Sequence, residues 1–138
     1  MIRGQLTHPE ILESLASAGH GAVVLIADSN YPFSMQANPS AKRVYLNFAP
    51  GLLKATEVLK VLTATIPIEA ASTIVPDDGS DPPIMAEFTA LLPGVPMTRL
   101  TRFPFYAAAR AQETVLVIAT GEPRIYACIL LTIGVITA

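Results

Sequence analysis

Two ionisable side chains bracket a short apolar run near the amino terminus of the 138-residue chain. His20 lies between Gly19 and Gly21, and Asp28 closes the six apolar residues 22–27. Histidine takes up and releases a proton near neutral pH, which makes it a candidate general acid or base. An aspartate at the exit of a strand commonly lies in the ligand cleft of an open α/β sheet. The segment therefore predicts proton-transfer chemistry, although the two side chains need not touch.

Three further side chains complete a scattered polar set on an otherwise apolar chain: Arg102, Tyr106 and Tyr126. Each member of the set also has an ordinary structural interpretation. His20 is equally consistent with packing at a turn, and Asp28 with capping a turn through its own side chain. Arg102 would pair with any surface acid, and Tyr126 would simply begin a strand. The residue types alone leave these alternatives open.

Motifs for cofactors, metals and nucleophilic catalysis are missing. The sequence has no Gly-x-Gly-x-x-Gly or phosphate-loop lysine motif, and no serine stands in a Gly-x-Ser-x-Gly elbow. The two histidines, His8 and His20, fall on different elements, and Cys128 is the only cysteine, so a zinc site is not predicted. Within its Ile-Leu-Leu run, Cys128 is more typical of a buried apolar residue than of a nucleophile. No cofactor and no metal are therefore expected.

The composition excludes several classes of protein. A net charge of −2 with no basic stripe argues against a nucleic-acid partner. Hydrophobic residues make up 51% of the chain and charged residues only 14%, yet no apolar run is long enough to span a bilayer. Surplus apolar residues without a membrane segment favour burial between subunits, so a homo-oligomer is expected. A single cysteine is typical of a reducing cytoplasm.

Periodicity and turn residues predict alternating helices and strands. Thr7 is expected to cap the first helix, with Pro9 in its first turn, and Gly19 to end it. Further helices are predicted over 51–66, 84–92 and 103–112, and strands over 22–27, 43–48, 68–75, 97–101, 114–120 and 129–136. This alternation predicts an α/β fold: one domain over 1–138, built as a layered, Rossmann-like sandwich with a mostly parallel central sheet flanked by helices.

Several sequence blocks carry a resemblance to a known family. They are Gly19-His20-Gly21 with the strand into Asp28-Ser29-Asn30-Tyr31-Pro32, then Thr101-Arg102-Phe103-Pro104-Phe105-Tyr106, then Ile118-Ala119-Thr120-Gly121-Glu122, and finally Tyr126-Ala127-Cys128-Ile129-Leu130-Leu131 with Gly134-Val135. In this order and spacing the chain resembles the ribose pyranase/fucose mutarotase family (RbsD/FucU-like), whose members are small cytoplasmic sugar-handling proteins. The block at 101–106 is more similar to the L-fucose mutarotase branch, because a histidine tends to occupy that region in the ribose pyranase branch.

The resemblance implies an isomerase that interconverts the α and β anomers of a free monosaccharide, L-fucose or a related sugar, without a cofactor. His20 would act as the proton donor and acceptor. The implied sugar-binding residues are Asp28, Arg102, Tyr106, Tyr126 and Cys128. Tyr31 or Phe105 would stack on an apolar face of the sugar.

Two positions depart from the pattern of the family. Cys128 stands where the family's Tyr-Gly-Asn supplies an asparagine that touches the sugar, and a thiol cannot reproduce an amide's pair of hydrogen bonds. Ala22 stands where the family has an acidic residue. The cysteine favours an alternative function, a non-catalytic monosaccharide-binding accessory protein of sugar uptake or utilisation; a structural oligomer component is a third interpretation. The resemblance further implies a ring-like homo-oligomer that can stack into a decamer, with sites near subunit boundaries.

Overall fold

One six-stranded sheet with helices on both faces organises the chain. A computed structural model describes residues 1–138. The helices are α1 (Pro9–Ala18), α2 (Ala55–Thr63), α3 (Ile84–Leu91) and α4 (Arg102–Arg110). The strands are β1 (Val23–Ala27), β2 (Lys42–Tyr45), β3 (Ile68–Ile74), β4 (Met97–Leu100), β5 (Thr114–Ala119) and β6 (Ile129–Ile133). None of the four helices is both long and apolar enough to cross a bilayer.

The sheet has the strand order β2-β5-β1-β6-β3-β4. β1 and β2 each pair with β5 in parallel, and β3 pairs with β4 in parallel. β6 lies antiparallel to both of its neighbours, β1 and β3. Five strands therefore run in one direction and only β6 is reversed, which confirms the predicted α/β fold with a mostly parallel sheet. This arrangement brings the carboxyl ends of β1, β3, β4 and β5 and the amino end of β6 to the same edge.

Alternating side chains of the central strands fill two apolar layers. In β1, Val24 and Ile26 face one layer while Leu25 and Ala27 face the other, and all four are fully buried. The larger layer packs under α1, α2 and α3 and contains Phe88 among its fully buried side chains. The smaller layer packs under α4. Burial on both faces explains why the strand sequence is continuously apolar and not alternating.

The first helix begins one residue later than predicted. His8, not Thr7, is the N-cap residue, and its Nδ1 accepts a weak hydrogen bond of 3.5 Å from the backbone N–H of Ile11. Pro9 follows at the first helical position, where its missing N–H costs nothing. The predicted cap at Thr7 was therefore wrong, although the helix itself was placed correctly.

The second helix begins four residues later than the predicted position 51. Leu52 and Leu53 lie instead in a loop whose backbone wraps around Gly121. The N–H of Gly51 donates to the carbonyl of Gly121 at 2.6 Å, and the N–H of Gly121 donates to that of Leu53 at 2.8 Å. A Cβ at position 121 would lie 2.2 Å from the carbonyl oxygen of Leu52, so only glycine allows this approach. These tertiary contacts override the helical spacing of the leucines.

Candidate functional site

A small pocket lies at the edge of the sheet where the carboxyl ends of the parallel strands meet. Its volume is about 120 Å³, well below the range of roughly 300–1,000 Å³ that is typical of drug-sized ligands. The lining residues are Asp28, Asn30, Tyr31, Ile74, Arg102, Tyr106, Ile125, Tyr126 and Cys128. Ligands of open α/β sheets bind at such an edge, so the pocket is suited to a small ligand with several polar groups.

The pocket brings together five of the six predicted site residues. Asp28 follows β1, Arg102 opens α4 directly after β4, and Tyr106 lies one turn further along that helix. Tyr126 and Cys128 come from the segment that leads into β6. The reversed direction of β6 is the reason that residues preceding this strand meet residues following the others.

Asp28 forms the buried polar floor of the pocket. Its Oδ1 accepts a hydrogen bond from the N–H of Asn30 at 2.9 Å, and its Oδ2 accepts one from the N–H of Ala127 at 3.1 Å. The thiol of Cys128 donates to the same Oδ2 at 3.2 Å. Burial raises the pKa of Asp28 above its ordinary value, and the three hydrogen bonds only partly offset this effect. Three protein donors leave one strong acceptor position, on Oδ1, for a ligand hydroxyl.

Cys128 interacts with Asp28 through both its hydrogen and its lone pair. The N–H of Asp28 donates to Sγ at 3.3 Å, while the thiol donates back to the carboxylate. Burial, reinforced by the neighbouring carboxylate, raises the pKa of Cys128 well above 9.0, so the group stays a thiol. Its polar capacity is used within the protein, and the pocket meets the sulfur as an apolar surface.

Arg102, Tyr106 and Tyr126 present exposed or half-buried polar tips at the pocket. The guanidinium of Arg102 lies 5.5 Å from the ring centre of Phe103, its neighbour on α4. Tyr126 adopts a left-handed backbone conformation with φ of 57°, which is uncommon for a residue other than glycine. Tyr106 packs edge-on against Tyr31, with ring centres 5.6 Å apart. These side chains can direct hydrogen-bond donors at a ligand while their rings supply its apolar walls.

Of the two aromatic residues predicted to stack on a sugar, only Tyr31 reaches the pocket. Its hydroxyl donates to the carbonyl of Gln36 at 2.5 Å, and burial raises its pKa, so the phenol stays neutral. Phe105 is fully buried and packs edge-on under Tyr31, with ring centres 6.2 Å apart. The stacking role predicted for Phe105 was wrong, because an aromatic residue on the inner face of α4 is core.

His20 lies at the opposite end of β1 from the pocket. The strand has five residues, which corresponds to about 16 Å. The imidazole is exposed, and its Nε2 lies 3.0 Å from a carboxylate oxygen of Glu69, near the start of β3. Within a single chain the candidate proton-transfer group and the candidate sugar-binding groups are therefore separate. No group of three or more His, Cys, Asp or Glu side chains is close enough to hold a metal ion.

Sequence reasoning did not identify three lining residues, Asn30, Ile74 and Ile125. Asn30 follows Asp28 by two positions and Ile125 precedes Tyr126, so proximity to predicted site residues was the available signal. Ile74 ends β3, and its contribution depends on the strand order, which periodicity does not encode.

Fold and pocket together define a single-sheet α/β protein that takes a small polar ligand at the carboxyl ends of its strands. Comparison with known proteins specifies it further. A model of the RbsD / FucU transport protein family matches residues 1–136, so the chain belongs to that family.

Relatives support this assignment in sequence and in structure. Human fucose mutarotase is 34% identical over 143 aligned positions that cover 95% of this chain and 90% of the human protein. The Streptococcus pneumoniae fucose mutarotase, solved in complex with L-fucose, superposes with a TM-score of 0.80 at 26% identity, covering 94% of each chain. Bacillus subtilis RbsD in complex with D-ribose superposes with a TM-score of 0.87 at 22% identity, covering 99% of this chain and all of that one, and shows the shared fold.

Proposed function

We propose that this protein is a monosaccharide mutarotase, an isomerase that interconverts the α and β anomers of L-fucose or a related free sugar. The observation that carries the proposal is the convergence of Asp28, Arg102 and Tyr126 on one small pocket, in a chain 34% identical to human fucose mutarotase. Mutarotation requires that the sugar hydroxyls be held while protons move at two oxygens. A pocket with one buried carboxylate and several hydrogen-bond donors suits that task.

The pocket residues are assigned to sugar binding. The remaining acceptor position of Asp28 accepts a charge-assisted hydrogen bond from one sugar hydroxyl. Arg102 offers a fork of N–H donors for ring or hydroxyl oxygens. The phenols of Tyr106 and Tyr126 donate to further hydroxyls, while Tyr31 packs against an apolar sugar face. None of these groups has to change its protonation state for the ring to open.

His20 is assigned to proton transfer in the pocket of a neighbouring subunit. It lies too far from the pocket of its own chain, and its ring is exposed at the surface. The pocket in turn has an exposed apolar rim: Ile125 is 65% exposed and Phe103, beside Arg102, is 72% exposed. Exposed apolar groups around a binding site indicate a surface that another protein covers. A second copy placed over this rim would supply the missing imidazole.

The reaction needs two proton movements that balance. His20 takes the proton of the anomeric hydroxyl and then gives a proton to the ring oxygen, so that the C1–O5 bond breaks and an open-chain aldehyde forms. Rotation about the C1–C2 bond then presents the other face of the carbonyl, and the reverse transfers close the ring. Imidazole serves both directions because a ring nitrogen accepts a proton as a base and the protonated ring donates one as an acid. Because Nε2 lies beside Glu69, the transfer is assigned to the other ring nitrogen, Nδ1.

We further propose a ring-like homo-oligomer, with stacking into a decamer as the assembly that the family resemblance implies, and a cytoplasmic location. The exposed apolar side chains Phe48, Leu52 and Leu53 support assembly beyond the pocket rim. The free thiol of Cys128 is typical of a reducing compartment.

Magnetisation exchange between the two anomeric proton signals of L-fucose tests the activity. The protein should accelerate the exchange, and His20→Ala should reduce the acceleration by roughly 10²–10⁴-fold, the usual contribution of a placed acid or base. His8→Asn is the matched control: it alters the other histidine but retains a capping side chain for α1, so the rate should not change. Sugar binding by calorimetry without any acceleration would support the accessory binding protein instead, and neither binding nor acceleration with a panel of monosaccharides would exclude both functions.

A further inference from the structure

Glu122 is a fully buried carboxylate that lies outside the pocket and does not contact its interior. Oε1 accepts hydrogen bonds from the backbone N–H and the Nε–H of Arg124 at 3.2 and 2.8 Å. Oε2 accepts from Nη2 of Arg124 at 3.1 Å and from the backbone N–H of Ala55, the first residue of α2, at 3.4 Å. The guanidinium of Arg124 also binds Glu87 on α3. A buried charge this well paired is costly to disturb.

The same residue also binds the segment that follows β1, through its backbone carbonyl. The carbonyl of Glu122 accepts hydrogen bonds from the N–H and the hydroxyl of Ser29, at 3.0 and 2.9 Å. Ser29 lies between Asp28 and Asn30, both of which line the pocket. One residue therefore connects the segment after β1 with the segment before β6.

The segment that Glu122 holds through Arg124 contains a strained residue. Tyr126 follows Arg124 by two positions and has the left-handed φ of 57°. A non-glycine residue keeps this conformation only where its surroundings enforce it. Burial alone would raise the pKa of Glu122, but the hydrogen bonds from Arg124 outweigh that effect and hold the pKa below its ordinary value. The ion pair is therefore intact at neutral pH and holds the chain two residues from the strained position.

We propose that Glu122 is a positioning residue: its carboxylate fixes Arg124 and thereby sets Tyr126 at the pocket, although Glu122 itself does not touch the ligand. In identifying that ligand as a sugar, the inference rests on the proposed function. The pocket order itself does not depend on that identification, so it can be measured separately.

Amide hydrogen exchange of the unliganded protein tests the positioning directly. The N–H of Ala127, which donates to Asp28, should exchange at least about tenfold faster in Glu122→Gln, because its segment is released. The amide of Ile118 in β5 should exchange at the same rate, which distinguishes local release from global destabilisation. Arg124→Lys is the second variant: it retains the positive charge but cannot bind both oxygens of Glu122 as a fork. Unchanged exchange of Ala127 in both variants would overturn the inference.

A double-mutant cycle on sugar binding tests the path through Tyr126. Tyr126→Phe should raise the Kd for L-fucose by about tenfold in the wild-type background and by about twofold when Glu122→Gln is present. The second effect is smaller because a displaced Tyr126 hydroxyl already contributes little to sugar binding. Arg102→Gln is the control partner, since Arg102 lies on α4 and its effect should be additive with Glu122→Gln. Additive effects in both cycles would contradict the proposed path.

Glu87→Gln is the control for the ion pair, because it removes only the outer partner of Arg124 and should change Kd by less than about twofold. If L-fucose and related sugars do not bind the wild type, the proposed function fails, and the exchange of Ala127 still decides the role of Glu122.

Discussion

A site shared between two subunits can be tested by mixing two inactive variants. His20→Ala removes the proton-transfer group, and Asp28→Asn removes the charged acceptor from the pocket. The two residues lie at opposite ends of β1, so one chain cannot place both at one sugar. Each variant alone should be weak. The first loses roughly 10²–10⁴-fold in rate, and the second loses roughly 10–150-fold in affinity, the equivalent of a charged hydrogen bond of about 1.5–3 kcal/mol.

In mixed assemblies, the fraction of active sites follows from counting the combinations of subunits that can meet at one site. A site works only when the subunit giving His20 carries the Asp28 substitution and its neighbour carries the His20 substitution. With equal amounts and random assembly, about one quarter of the sites combine two intact residues, in a ring as in a two-fold dimer. Co-expression of the two variants in equal amounts, followed by purification through one tag that both carry, provides the assemblies without selecting the mixed ones. Anomeric magnetisation exchange of L-fucose at low concentration measures the active fraction.

A second mixture distinguishes shared sites from sites within one chain. Wild type mixed with the double variant carrying both substitutions should also recover about one quarter if the site is shared. If one chain supplied both residues, this second mixture would show one half of the wild-type activity. The first mixture would then show no recovery. That pattern would refute the assignment of His20 to a neighbouring pocket.

Four further predictions follow from single contacts. The affinity for L-fucose should fall as the pH drops, and because burial raises the pKa of Asp28, the midpoint of the fall should lie above pH 3.8; titration by calorimetry at several pH values checks this, and a midpoint at or below 3.8 would contradict it. Cys128→Ala removes a donor to Asp28 and should raise that pKa further, moving the fall to higher pH, while urea unfolding shows a loss of about 1–2 kcal/mol. Glu69→Gln should lower the rate of anomeric exchange of L-fucose by at most about fivefold, since exposed ion pairs contribute about 0.2–1 kcal/mol. A faster rate of anomeric exchange would contradict an orienting role of Glu69. Leu62→Ala, in the apolar layer that α2 covers, should lower the free energy of unfolding in urea by about 2–5 kcal/mol. The rate of anomeric exchange per folded molecule should not change.

The sequence predicted the elements well because each is specified by local pattern. The continuously apolar run before Asp28 indicated a strand buried on both faces, and the structure confirms that β1 has this environment. Placing His20 and Asp28 at opposite ends of one strand was also correct, since strand length follows directly from residue number. The pocket residues came from separate blocks, and the family resemblance, not spacing, indicated that they belong together.

What sequence could not predict depends on contacts between distant segments. Apolar periodicity has no direction, so the reversal of β6 was not visible, and with it the approach of Cys128 to Asp28 from 100 positions away. The late start of α2 depends on the backbone of Gly121. Glu69 lies 49 positions from His20, and no local signal links the two.

The thiol of Cys128 has consequences for which sugars the pocket favours. An asparagine at this position would offer a sugar both a donor and an acceptor. The thiol instead donates its hydrogen to the carboxylate of Asp28 and accepts a hydrogen bond from the backbone N–H of Asp28. The wall that Cys128 and Ile74 contribute to the pocket is therefore apolar, and a hydroxyl placed against it would lose its hydrogen bonds to water without replacement. We expect this wall to face a C–H or methyl surface of the sugar, while Asp28, Arg102 and the tyrosines take the hydroxyls. A sugar that lacks a hydroxyl at the position facing Cys128 should accordingly bind more tightly than its hydroxylated counterpart, a comparison that calorimetry with L-fucose and L-galactose makes directly. Tighter binding of the hydroxylated sugar would show that the thiol can turn away from Asp28.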